Sequence, residues 1–199
     1  FILDMESFCQ NESRHVPQLI RIAISHYQFE TIHPFLDGNG RVGRLLITLY
    51  LVSKGLLEHP CLYLSAHLEK NRGEYYDALT HVRRTNDLGH WIRFFLVAII
   101  ETSKDATSTF RKILEVRATT AEKVANLGRA SFNAARVVDY LYSKPVVSSQ
   151  ELSKKLEIGQ STANRLISLL QDQGILSELT GQQRNRVFYF QDYYQLFTH

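Results

Sequence analysis

The stretch His33-Pro34-Phe35-Leu36-Asp37-Gly38-Asn39-Gly40-Arg41-Val42-Gly43-Arg44 decides how the rest of this chain is read. Leu19, Ile20, Ala23, Ile24 and Tyr27 recur at helical spacing before it, and Leu45, Leu46, Leu49 and Tyr50 do so after it. A residue before proline avoids the helical region, so the first of these helices ends near Ile32. The second begins near Arg41 and stops at Gly55. Between them, two glycines bracket an asparagine. Glycine admits unusual backbone angles and close approach by a ligand. The unpaired amides at the start of the following helix make an anion site, and phosphate is its common guest. Arg41 and Arg44 fall in the first turn, where a cation opposes the helix dipole at a cost of about 0.3–1 kcal/mol. A bound polyanion would pair with both. Asp37 adds a hard oxygen ligand, and Mg²⁺ is held by one or two carboxylates together with substrate phosphates. An imidazole titrates near neutrality, which suits His33 as a general base for a hydroxyl nucleophile. Each residue alone has an ordinary structural reading; base, metal ligand and phosphate cradle in one short run do not.

Working outward, almost everything up to about residue 128 reads as helix. Ile2, Leu3, Met5 and Phe8 form a short first helix ending near Asn11, and Pro17 is placed as an early helical residue. A further helix covers residues 71–84, an apolar one covers 89–103, and a charged stretch over 104–128 reads as a helical connector. The chain begins at Phe1, inside an amphipathic segment, as a fragment or a processed chain would.

The character changes near residue 130. Ala134 to Leu141 is helical. Ser148-Ser149-Gln150-Glu151 is a capping box that opens a second helix with Leu152 and Leu156 inward. Gly159 to Thr162 opens a third with Ala163, Leu166, Ile167 and Leu170 inward, and Gly174 ends it. Ile175 to Leu179 and Val187 to Phe190 alternate as strands around Thr180-Gly181-Gln182-Gln183. Three helices and a hairpin make a winged helix-turn-helix. Its third helix offers Gln160, Ser161, Thr162, Asn164 and Arg165 for polar contacts, and its wing carries Arg184 and Arg186. From residue 137 onward, six basic residues face six acidic ones, a weak footprint for DNA and a better one for a protein-binding or dimerisation module. Tyr193, Tyr194 and Phe197 read as exposed aromatics suited to packing or a subunit contact.

The run from His33 to Arg44 resembles the signature of the Fic family, His-x-Phe-x-Asp/Glu-Gly-Asn-Gly-Arg-x-x-Arg, at every fixed position. His26-Tyr27-Gln28-Phe29-Glu30 before it and Tyr75-Tyr76-Asp77-Ala78-Leu79 after it are also similar, so the resemblance covers roughly residues 1–115. It implies an all-helical core over residues 1–104; with the connector over 105–130 and the winged helix-turn-helix over 131–199, read from their own pattern, the expected fold is mainly α. It implies transfer of AMP from ATP, with Mg²⁺, to a Ser, Thr or Tyr hydroxyl of a target protein. By resemblance, His33 deprotonates that hydroxyl and Asp37 binds the metal. Gly38, Asn39 and Gly40 cradle the phosphates, Arg41 stabilises their developing charge, and Arg44 holds the terminal phosphate. Phe35 anchors the loop from below, and Tyr75 or Tyr76 contacts the base or ribose. Gly40 is Lys in related Doc-type kinases, so glycine here favours AMP transfer over phosphate transfer. Many relatives carry an inhibitory Ser/Thr-x-x-x-Glu-Gly/Asn helix whose glutamate pairs with the arginine at position 44. Ser65 and Glu69 have that spacing, but Lys70 follows. The alternatives are AMP removal or another nucleotidyl or phosphoryl transfer at the same site. In a different class stands a DNA-binding regulator that senses nucleotide.

Composition narrows the setting. Hydrophobic residues make 44% and charged residues 22% of 199, as in an ordinary globular protein, and a net charge of +3 does not argue for nucleic acid. Two cysteines are no disulfide framework and favour a reducing cytoplasm. No apolar run reaches the roughly 18 residues of a spanning helix. A homodimer is compatible with all of this.

Overall fold

The computed structural model describes residues 1–11, 15–182 and 185–198. The chain divides into two compact units, Phe1–Thr107 and Ser108–His199. The fold is mainly α, with one small sheet among the described residues.

In the first unit, α1 (Ile2–Gln10) lies against α2 (Gln18–Ile32), which lies against α3 (Asn39–Ser53). Arg21 of α2, almost wholly buried, fixes α1: its guanidinium donates to the Phe8 carbonyl and sits 5.1 Å over the Phe8 ring. Helices α4 (Leu64–Lys70) and α5 (Arg72–Thr85) follow, and then α6 (Leu88–Ala125). The core gathers Ile22, Ala23, Ile47, Leu68, Leu79 and Trp91, with Phe95 among them. The Trp91 indole donates to the Ala23 carbonyl at 2.8 Å, so its one polar atom is satisfied inside the core.

Three expectations change here. The helix expected to start near Arg41 starts at Asn39, and its inward face is Asn39, Gly43, Ile47, Tyr50 and Leu51. Leu45 and Leu49, expected inward, are exposed. The face is set by a polar and a small residue, which a hydrophobic pattern cannot register. Second, α4 was not foreseen; it has only seven residues. Third, the apolar helix and the charged connector are one helix of 38 residues, α6. The composition changes along it because its neighbours change, not because the backbone does.

In the second unit, α7 (Ser131–Ser143) leads to β1 (Val146–Ser148), α8 (Ser149–Leu156), α9 (Gln160–Asp172), β2 (Leu176–Glu178), β3 (Val187–Phe190) and α10 (Gln191–Gln195). The sheet order is β1-β3-β2, antiparallel throughout, with Val147 opposite Phe188 and Leu176 opposite Phe190. Neither β1 nor α10 was anticipated, each being too short to show a period. Ser148 caps α8 as its spacing requires, its hydroxyl accepting from the Glu151 amide at 3.3 Å. Leu141, Leu152, Leu166, Leu170 and Phe190 centre a separate core, which takes Val124 from the far end of α6. Tyr193 is not exposed as expected. It is half-buried, its ring against Tyr142, Phe190 and Phe197. Gln183 and Arg184 of the expected wing lie outside the described residues.

Candidate active site

The site is built on the six residues between α2 and α3. His33 closes α2 in the left-handed region (φ 50), with its amide still bonded to the Phe29 carbonyl at 2.9 Å. A non-glycine residue there is uncommon. It turns the chain abruptly and leaves the exposed imidazole at the mouth of the loop. Asn39 then staples the loop shut. Its side-chain oxygen accepts from the Phe35 amide at 2.8 Å, and its amide nitrogen donates to the Phe35 carbonyl at 2.5 Å. Both polar ends of this buried side chain are thereby used. Its side chain is therefore not open to a phosphate, and any contribution to a cradle comes from its backbone amide.

Gly38 caps α3 at φ 83, and no side chain caps that helix. The first amides of a helix lack intrahelical partners, so these point outward over the loop. Asp37 is fully open; one carboxylate oxygen accepts from the Gly38 amide at 2.7 Å and the other lies 3.4 Å from the Arg41 guanidinium. Arg41 reaches back over Gly38, and Arg44 lies over Gly40, its Nη1 3.2 Å from where a Cβ would stand. Two guanidinium groups thus bracket the open end of the helix, the placement that the dipole disfavours and an anion would repay. Phe35, expected as an anchor beneath the loop, is instead half exposed, its ring 6.3 Å from that of Phe29.

Arg44 is already paired. Glu69 of α4 stands 3.7 Å from it and 3.8 Å from Arg72. Glu69 is the glutamate whose spacing from Ser65 drew attention in the sequence, and it reaches Arg44 even though Lys70 breaks the pattern.

The two tyrosines part company. Tyr75 is buried, 2% exposed, and its hydroxyl lies 2.9 Å from His26 Nε2. It is a core residue, its hydroxyl turned inward to His26. Adjacent helical residues point about 100° apart, so only one can face the core. Tyr76 faces out, with the Arg72 guanidinium 5.5 Å from its ring.

Beneath the loop is a buried polar cluster to which the sequence reading gave no role. His26 is fully buried; its Nδ1 lies 3.0 Å from the Gly43 carbonyl. Burial holds its pKa down to about 4, so it is neutral. Burial pushes the Tyr75 hydroxyl well above the usual phenol range. Glu30, also buried, has a carboxyl raised above the usual range by desolvation, against the opposing pull of His33, Arg44 and Arg83. The available signal was a histidine and a glutamate four apart on an apolar helix face.

Residues 2–51, which hold the loop, match the Fic/DOC family. The match to that family is confined to this segment. The chain is 29% identical over 137 residues to protein adenylyltransferase fic-1 of Caenorhabditis elegans, covering 69% of this chain and 22% of that one. It is 38% identical over 72 residues to protein adenylyltransferase Fic of Aedes aegypti, 36% of this chain and 13% of that one. Over 34 residues, 17% of this chain and 11% of the other, it is 65% identical to a probable protein adenylyltransferase of Aquifex aeolicus. The chain therefore spans about a fifth or less of the length of these relatives. A solved Fic family protein from Desulfovibrio desulfuricans G20 matches 94% of this chain and 53% of its own at 23% identity, with a TM-score of 0.49.

As to a metal, no three His, Cys, Asp or Glu side chains converge among the described residues. A lone exposed carboxylate such as Asp37 fits Mg²⁺, which completes its shell with phosphates and water. Among the described residues no helix is long and apolar enough to cross a membrane.

Proposed function

We propose that the Fic-like segment transfers AMP from ATP to a hydroxyl of a target protein. The observation that carries this reading is the loop locked by Asn39, which presents the open amides of α3 between Arg41 and Arg44 with His33 at its mouth. Triphosphate would lie over Gly38 on the amides of Asn39 and Gly40, with Arg44 on the terminal phosphate and Arg41 on the charge that develops as the bond breaks. Mg²⁺ on Asp37 would neutralise phosphate oxygens. His33 takes the proton of the target hydroxyl. The hydroxyl oxygen bonds to the α-phosphorus, the bond from the α-phosphorus to the bridging oxygen breaks, and pyrophosphate leaves. Tyr76, stacked with Arg72 beside the site, is the tyrosine available to the base or ribose. Names of the relatives support this choice over AMP removal and over phosphate transfer.

We infer that the second unit, with its helices and three-stranded sheet, is a winged helix-turn-helix. We read it as a protein-contact module, including contact with a second copy, rather than a DNA reader. Gln160, first on α9, already donates to Ser149 and Asn164, and Arg186 is paired with Glu178 at 2.5 Å. Cys9 and Cys61, both free thiols, fit a reducing compartment such as the cytoplasm.

The test is incubation of the full-length protein with cell extract and ATP labelled at the α- or the γ-phosphate. Protein label from the α-position alone is expected. His33→Ala should lower transfer by about 10²–10⁴-fold while ATP still binds. Label from the γ-position would make the protein a kinase and sink the reading.

A further inference from the structure

The last turn of α2, which ends on His33, carries a backbone carbonyl that its own helix cannot satisfy. A helical carbonyl accepts from the amide four residues on. For Phe29 that amide belongs to His33, and the bond is made at 2.9 Å. For Glu30 it would belong to Pro34, and proline has no N–H. The left-handed turn at His33 then leads the chain away from the helix.

The missing donor comes from another helix. Arg83 of α5, 53 residues further along the chain, donates from Nη2 to the Glu30 carbonyl at 3.2 Å, in a partly buried bond. A cation sits well there, because the free carbonyls make the end of a helix negative. Helix α5 already holds α2 through the Tyr75 hydroxyl, 2.9 Å from His26. Arg83 is a second grip, one turn from the base, and the reaction described above gives it no part.

We propose that Arg83 is a positioning residue for the base: it supplies the donor that Pro34 lacks, clamps the last turn of α2 to α5, and so holds His33 at the mouth of the loop. The inference rests on the AMP-transfer reading. Proton transfer needs the base within hydrogen-bond reach of the target hydroxyl. A misplacement of about 1 Å, even one caused far from the chemistry, costs on the order of a hundredfold in rate. The phosphate cradle has its own lock in the two bonds between Asn39 and Phe35, so loosening the turn before it touches the base first.

The experiment pairs amide hydrogen exchange with AMP transfer, on the full-length chain, for the wild type, Arg83→Ala and Arg83→Lys. In Arg83→Ala the His33 amide, which closes the last turn, should exchange severalfold faster, while the core amides of Ala23 and Leu79 keep their rates. The same variant should lower kcat about tenfold with KM for ATP nearly constant. Arg83→Lys keeps a cationic donor and should recover part of both effects. Unchanged exchange at His33 refutes the clamp even if transfer is robust. Faster exchange there upholds the clamp even if the wild type transfers no AMP, a result that would sink the AMP-transfer reading instead. A raised KM with intact kcat would make Arg83 a nucleotide ligand and overturn the proposal. So would equal acceleration at every amide, the mark of a general loss of stability. Should Arg83→Ala not fold, Arg83→Gln, which keeps a neutral donor, must show the same pattern in smaller measure.

Discussion

At the scale of single residues, the site depends on side chains that never touch a ligand. Asn39 gives both polar ends to Phe35, and Gly43 gives up its side chain altogether. A methyl at position 43 would meet Glu30 at 2.5 Å, Phe29 at 3.0 Å and His26 at 3.1 Å. Gly43→Ala is therefore expected to destabilise the first unit by about 1–3 kcal/mol despite the better helix propensity of alanine, read by chemical denaturation. Glu69 has the opposite standing. It holds Arg44 from an exposed position, so the pair adds little stability. Removing it clears the terminal-phosphate site and takes a negative charge away from a polyanion. Glu69→Ala should tighten ATP binding by about two- to fivefold, within the range of such pairs, in a direct titration. Weaker binding would mean that Glu69 serves the nucleotide rather than competing with it.

At the scale of elements, His26 ties α2 to three other helices. From α2 it reaches the Gly43 carbonyl of α3 and the Tyr75 hydroxyl of α5, and it stacks 5.9 Å from the Trp91 ring of α6. The knot needs a neutral imidazole. Folded, its pKa is lowered from 6.5 to about 4; unfolded, it takes up a proton near 6.5. The unfolded state thus binds more protons below that value. Stability from this group is fully present above pH 6.5 and falls as the pH drops toward 4, by about 3 kcal/mol in all. Urea midpoints followed between pH 7 and 4.5 should decline, and His26→Gln should be less stable at pH 7 but flatter over that range. An equal slope in both proteins would show that other groups carry the acid sensitivity.

At the scale of the whole molecule, the two cores share no buried residue. Each is expected to respond to its own mutations, since distant sites add independently. Leu141→Ala empties a fully buried position of the second core and should cost that unit about 2–5 kcal/mol. Trp91, the single tryptophan, lies in the first core and reports on it alone. Thermal melting of Leu141→Ala should show an earlier loss of helical signal with an unchanged tryptophan transition. Movement of both together would make the chain one cooperative body.

The extents of α1, α2 and α9 and the start of α8 were legible in the sequence because each is ruled by local signals: a helical period, a proline, a glycine stop, a capping serine; α7 runs beyond the expected 134–141 at both ends. So was the loop from His33 to Arg44, since glycine, asparagine, carboxylate and arginine are set there by backbone geometry and ligand chemistry over a few residues. What only the tertiary structure decided depends on residues distant in sequence. Which face of α3 turns inward follows the fit of Gly43 against His26 and Glu30, with Leu51 inside and Leu45 and Leu49 outside. Tyr75 goes to the core and Tyr76 to the surface because His26, forty-nine residues earlier, offers an acceptor to only one of them. Arg44 meets Glu69, and a Glu30 oxygen is packed against Gly43, because separate helices converge there. No spacing along the chain encodes that meeting; burial and the need to satisfy polar groups in a packed interior do.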